Sequence, residues 1–144
     1  MSGGRSDMTS DEVTRLLNLI GNILGEDTDY PLDGTLLYAE VSKNAVGRSI
    51  FKDLGTHILY RWPSRELTDP LLDLWEEEKP GKRWAEIEYL IRDGKIRARF
   101  IYPDEIDPEE DFGDRRTRVV KQALGDKPIV YPPFEDDEDQ VFDL

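Results

Sequence analysis

The stretch 84-WAEIEYLIRDGKIRARFIY-102 decides the fold. It is two alternating runs joined by Asp93-Gly94. Asp-Gly between alternating hydrophobics signals a two-residue hairpin, because both positions of a type I′ turn need positive φ. A loop of that length also sets the register. Ile91 then faces Ile96, Tyr89 faces Ala98, Ile87 faces Phe100 and Ala85 faces Tyr102, so one face is wholly apolar. The other face pairs Glu88 with Arg99 and Leu90 with Arg97, and also carries Glu86, Arg92 and Lys95. One side must be buried; the other is charged.

Upstream of the hairpin, Thr68-Asp69-Pro70 reads as a helix start: a capping hydroxyl, a first-turn acid and an early proline. Leu71, Leu72, Leu74 and Trp75 follow, and Lys79-Pro80-Gly81 closes the helix. Further upstream, Thr35 to Ser42, Arg48 to Lys52 and Thr56 to Trp62 read as strands. A loop at 43–47 and a break at Asp53-Leu54-Gly55 separate them. Near the N-terminus, Thr9 and Glu12 fit a capping box. Val13, Leu16, Leu17, Ile20, Ile23 and Leu24 recur at helical spacing and Gly25 supplies a stop, which predicts a helix over about 10–24.

Downstream, residues 103–113 form an acidic loop. Asp114 is placed to cap a last helix, Arg115 to Leu124, stopped by Gly125. The order α-β-β-β-α-β-β-α predicts an α+β fold, with an antiparallel sheet of about five strands and helices packed on one face. The expected organisation is a disordered Gly/Ser-rich segment over 1–9, one domain over 10–126, and a Pro-containing acidic tail over 127–144.

The chain has 144 residues, room for one domain with a real core. It contains no cysteine, which excludes disulfides and thiolate zinc sites and permits a reducing compartment. No run approaches the roughly 20 apolar residues of a membrane span. The segment MSGGRSDMTS lacks the hydrophobic stretch of a signal peptide, so a cytoplasmic protein is expected. Against 19 basic residues stand 32 acids, a net charge of −13. That field repels nucleic acid phosphates and anionic membranes, so neither is an expected partner. It attracts basic proteins and speeds encounter with them.

Three features together resemble the YezG-like family of bacterial immunity proteins. They are the N-terminal amphipathic helix followed by LYAEVS (Leu37–Ser42), the Trp-led hairpin running into an acidic loop (WAEIEYLIRDGKIRARFIYPDE), and the Arg-rich helix ending in Leu-Gly (RRTRVVKQALG). They span roughly residues 11–125, as in a distant relative. The resemblance implies a cytoplasmic α+β protein that neutralises a secreted polymorphic toxin, often one with a nuclease tip. The cognate partner would then be a basic toxin domain, matching this chain in sign. Oligomeric state is left open.

Enzymatic signatures fare poorly. Asp33, Glu40 and Lys43 follow the order of a restriction-type nuclease site, which needs two carboxylates for a divalent cation and a lysine for the attacking water. Glu40-Val41-Ser42-Lys43 is one residue too long, and on a strand that slip puts Glu and Lys on opposite faces. Asp107, Glu109 and Asp111 alternate as in an EF-hand. However, Gly113 falls one place late for the bend, and Arg118 stands where a bidentate Glu is needed. The lone His57 would have to serve any Ser-His-Asp triad, and no Gly-x-Ser-x-Gly elbow, phosphate loop or dinucleotide fingerprint occurs. Glu86 and Glu88 could serve a glycosidase but share their face with Arg97 and Arg99, where opposed charges support the sheet. Tyr89, Phe100, Tyr102 and Trp75 read as core aromatics. No catalytic residue, cofactor or metal is expected.

The expected contacts with a partner are acids. In the loop they are Asp104, Glu105, Asp107, Glu109, Glu110 and Asp111. In the tail they are Glu135, Asp136, Asp137, Glu138 and Asp139, interspersed with Phe134, Val141, Phe142 and Leu144. The charged hairpin face is a second candidate surface. A regulatory interaction module without a toxin, and a small hydrolase using a carboxylate pair, are the competing readings.

Overall fold

The hairpin forms as its sequence dictates. In the computed structural model, which describes residues 10–132, Asp93 and Gly94 take φ of 57° and 74°. They join β4 (Glu86–Arg92) to β5 (Lys95–Ile101). The register is the expected one, with Ile91 opposite Ile96, Tyr89 opposite Ala98, Ile87 opposite Phe100, and Glu88 opposite Arg99. The other elements are α1 (Asp11–Leu24), β1 (Thr35–Ser42), β2 (Ala45–Asp53), β3 (Ile58–Arg61), α2 (Thr68–Glu76), α3 (Phe112–Leu124) and β6 (Ile129–Val130). Short 3₁₀ turns cover Arg65–Leu67 and Pro103–Glu105.

The strands make one six-stranded sheet in the order β5-β4-β1-β2-β3-β6. Its neighbours are antiparallel except β6, which runs parallel to β3. The expected α+β class holds, while the strand number and the wholly antiparallel sheet are corrected. The cause is the segment after α3. The Ile58 N–H donates to the Pro128 carbonyl, and Ile129 pairs with Ile58. The body therefore continues past residue 126 into what reads from sequence as tail. The expected loop at 43–47 is also shorter than read. Ser42 pairs with Ala45, so only Lys43-Asn44 turn the chain.

The placement of helices on one face is a second correction. α1 and α2 do cover one face, where Val13, Leu16, Ile20, Leu71 and Leu74 pack on Leu37, Ala39, Ile87, Tyr89 and Ile91. α3 covers the other, where Val120 and Leu124 pack on Leu36, Phe51 and Ile58. The reason lies in β1, TLLYAEVS. Leu36 and Tyr38 are apolar on one side and Leu37, Ala39 and Val41 on the other, so all five are buried. A strand apolar on both sides needs cover on both sides. Each fully buried aliphatic side chain there stabilises by roughly 1.5–3 kcal/mol, and a charge at Val120 would undo the second layer.

Helix starts also differ from the expectation. Ser10 caps α1, its hydroxyl accepting from the Val13 N–H at 3.2 Å; Thr9 lies outside the described residues. Ser64 caps the turn before α2, whereas Leu67 occupies the N-cap of α2 with no side-chain bond. Asp111, not Asp114, caps α3 by accepting from the N–H groups of Gly113 and Asp114. The expected disorder of residues 1–9 and the tail acids Glu135, Asp136, Asp137, Glu138 and Asp139 lie outside the described residues. Among the described residues, no helix is long and apolar enough to cross a membrane.

Candidate functional site

The acidic loop between β5 and α3 is built by its own carboxylates. Glu105 accepts from the Tyr102 N–H at 2.8 Å and Asp107 from the Glu109 N–H at 2.9 Å. Asp111 is the cap of α3. Glu110 takes two bonds from the Arg118 guanidinium, at 2.8 and 3.0 Å, and this hydrogen bond holds its carboxyl below the usual range. Four of the six loop acids thus shape the loop. Asp104 and Glu109, both exposed, have no side-chain partner among the described residues.

A denser acidic surface lies on the α1/α2 side. Asp69, Asp73 and Glu76 stand at i, i+4 and i+7 along α2, which sets them in one row. All three are exposed and none forms an ion pair among the described residues. Nearby, Glu26 faces Glu66, and the interaction of the two carboxyl groups pushes Glu26 up. Sequence reasoning passed over the α2 row, although its helical spacing was visible in Asp69, Asp73 and Glu76.

The hairpin's charged face leads to a buried polar cluster beneath α3. Glu86 is 3% exposed. One of its oxygens accepts from the Tyr38 hydroxyl at 2.6 Å, the other from Arg115 at 2.7 and 3.0 Å. Burial and then Glu86 push the Tyr38 phenol well above its ordinary value. Glu40 pairs with Glu86 across β1 and β4, and burial, followed by the charge of Glu86, raises its carboxyl. Arg116 donates to the Ser49 hydroxyl at 3.2 Å. Two carboxyls held in different environments are the raw material of acid–base chemistry. Here, however, both oxygens of Glu86 are already committed to α3 and β1. The cluster's evident work is to tie the helix to the sheet.

The remaining sequence candidates fall apart in space. Asp33 and Glu40 sit at opposite ends of β1, seven residues apart in sequence, or roughly 23 Å along an extended strand. Asp33 accepts from the Asp93 N–H at 2.5 Å and so closes the hairpin turn. His57 lies just before β3 and meets the Thr56 hydroxyl at 2.9 Å. Glu88 does pair with Arg99, at 3.0 Å. Trp75 is part-buried and donates to the Trp84 carbonyl at 2.8 Å, while Tyr89 is fully buried. Among the described residues, no group of three or more His, Cys, Asp or Glu is placed to hold a metal ion.

No protein-family model matches the chain, and no curated protein is significantly similar to it.

Proposed function

We propose that this protein is a non-enzymatic immunity protein, which binds the catalytic domain of a basic, secreted polymorphic toxin and blocks substrate access. The observation that carries the reading is the exposed carboxylate row Asp69, Asp73 and Glu76, beside the Glu26–Glu66 contact. Asp69, Asp73 and Glu76 make no salt bridge among the described residues, although Arg15 of α1 is near enough to Asp73 to feel its charge, in a chain of net charge −13. Exposed acids along one helix face repel one another, and a basic partner relieves the repulsion while gaining speed of encounter. The resemblance of the hairpin, acidic loop and Arg-rich helix to YezG-like immunity proteins supports the same conclusion. Asp104 and Glu109 of the loop add two exposed acids, and Glu135 to Asp139 add the densest run of charge in the chain.

The test is calorimetric binding of the full chain, at rising salt, to a candidate toxin domain sought in the reading frames that adjoin its gene. Affinity should fall as exposed pairs are screened. Reversal of Asp69, Asp73 and Glu76 to Lys should weaken it further than reversal of Asp104 and Glu109. Equal affinity for both variants and the parent would remove the acidic surface from the account.

Glu40 and Glu86 are the ground for a second reading, a small hydrolase, because they adjoin across two strands and burial raises the Glu40 carboxyl. Under that reading Glu40→Gln would abolish a hydrolytic activity. Under the immunity reading it would leave toxin neutralisation intact.

A further inference from the structure

The sheet ends on β5 at one side and on β6 at the other, and the two ends are finished differently. β6 is two residues long, with Pro128 before it and Pro132 close behind. Short strands and prolines blunt an edge against further pairing. β5 is seven residues long, lacks proline, and keeps unbroken register with β4. In an antiparallel pair, alternate residues exchange both hydrogen bonds. The two-residue turn makes Arg92 and Lys95 such a pair, followed by Leu90 with Arg97 and Glu88 with Arg99. The N–H and C=O groups of Ile96, Ala98 and Phe100 therefore point away from β4, and no backbone group meets them among the described residues.

Each side of this edge carries its own chemistry. On the α3 side β5 presents Lys95, Arg97 and Arg99 and no acid, in a chain of net charge −13. Arg99 is matched by Glu88 at 3.0 Å. Lys95 faces Arg92 and Arg97 faces Leu90, and neither Lys95 nor Arg97 forms an ion pair among the described residues. A hollow of about 260 Å³ adjoins Arg97 and Arg99. Its other polar side chains are Glu88 and Gln122, so it holds two cations against one acid. On the α1 side, the exposed Ile96 and Leu32 line a second hollow, of about 320 Å³, together with Ile91. Asn18, Asn22 and Lys95 are its polar lining.

We propose that β5 binds an extended segment of a partner protein in which acidic and apolar residues alternate. Its backbone continues the sheet by bonding to Ile96, Ala98 and Phe100. Its carboxylates lie beside Arg97 and Lys95, and its apolar residues lie on the side of Ile96. Strand addition draws affinity from main-chain hydrogen bonds and specificity from alternate side chains. The cations decide against a second copy of this chain. Antiparallel pairing of two β5 strands about Ala98 sets Arg97 opposite Arg99, and like charges directly opposite destabilise. The cations that guard the edge against self-pairing thus admit an acidic strand. This surface is independent of the toxin-binding reading, since it uses none of the α2 row.

The experiment uses the full chain, labelled with ¹⁵N, and a capped heptapeptide of alternating valine and glutamate as probe. Salt is held at about 0.15 M, where a Debye length of about 8 Å screens the chain's distant acids. The peptide should shift the amide resonances of Ile96, Ala98 and Phe100 saturably, with a Kd below about 1 mM, and slow their hydrogen exchange. Two control peptides, one with lysine for glutamate and one N-methylated on alternate residues to remove the donors facing β5, should bind at least about ten-fold more weakly, a difference of about 1.4 kcal/mol. Arg97→Glu, at an exposed position, should cause the same loss. Should that variant fail to fold, the control peptides on the parent chain still decide. Resonances unmoved up to about 5 mM peptide, a control peptide binding as well as the probe, or undiminished binding to folded Arg97→Glu would overturn the proposal. So would a dimer of the parent in sedimentation that the peptide dissolves, which would assign the edge to a second copy.

Discussion

Replacing Arg115 by methionine strands a carboxylate inside the protein. The Arg115 side chain is 13% exposed and that of Glu86 4%. The guanidinium gives Glu86 two hydrogen bonds, at 2.7 and 3.0 Å, and reaches the Tyr38 oxygen at 3.3 Å. A buried ion pair is worth little against a well-packed apolar pair. Removing one member leaves the other charged and unpaired, at a cost of about 3–5 kcal/mol. Methionine retains much of the packing of the arginine stem, and the residual exposure of Arg115 lets water reach the site. Both place the expected loss near the lower end, about 3 kcal/mol. With a urea m-value of about 1.5 kcal/mol/M, the unfolding midpoint should fall by about 2 M. The double variant Glu86→Gln/Arg115→Met, which leaves no charge at either position, should recover most of that loss. Urea denaturation followed by circular dichroism reads both. A loss below about 1 kcal/mol for Arg115→Met, or a double variant no better than the single, would refute the claim that this cluster holds α3 to the sheet.

Gly21→Ala in α1 should destabilise, although alanine exceeds glycine in helix propensity by about 1 kcal/mol. Its Cβ would meet the Tyr89 hydroxyl oxygen at 2.8 Å, which itself donates to the Leu17 carbonyl at 2.6 Å; in a Tyr89→Phe background the same change should stabilise, and thermal melts of the four proteins show whether the sign reverses. Asp53 predicts a pH response. Burial raises its carboxyl, but hydrogen bonds from Lys127, the Gly55 N–H and Arg92 outweigh burial and hold it down at about 2. A depressed folded-state value means the contribution is complete above the unfolded value, about 3.9, and is lost as pH falls through about 2. Asp53→Asn should therefore show a flatter fall in stability between about pH 4 and 2, and parallel profiles would contradict the assignment.

Much of the sheet was legible because its signals are local. Asp93-Gly94 states its turn and register within a few residues, and the 3.6-residue spacing of Val13, Leu16, Ile20 and Leu24 states the buried face of α1. The second helical layer was not read, yet its trace was present in β1, where Leu36 and Leu37 are apolar on successive, opposite faces. The partners of Glu86 were beyond local pattern. Tyr38 lies 48 residues before it and Arg115 lies 29 after, and nothing in their neighbourhoods encodes the meeting. Lys52, only 1% exposed, misleads in the same way, since an alternating lysine on a strand ordinarily reads as a solvated edge. Residues 129–130 are too short a run to announce a strand, and β6 exists only because β3 offers an edge.

Survival of cells tests the central claim most directly. A candidate toxin domain, sought in the reading frames that adjoin this gene, is induced in cells with and without the full chain, and viable counts are followed over time. Rescue by the parent chain is expected, with rescue lost when Asp69, Asp73 and Glu76 become Lys in a protein that still folds. Killing at the same rate in the presence of the parent chain would contradict the account.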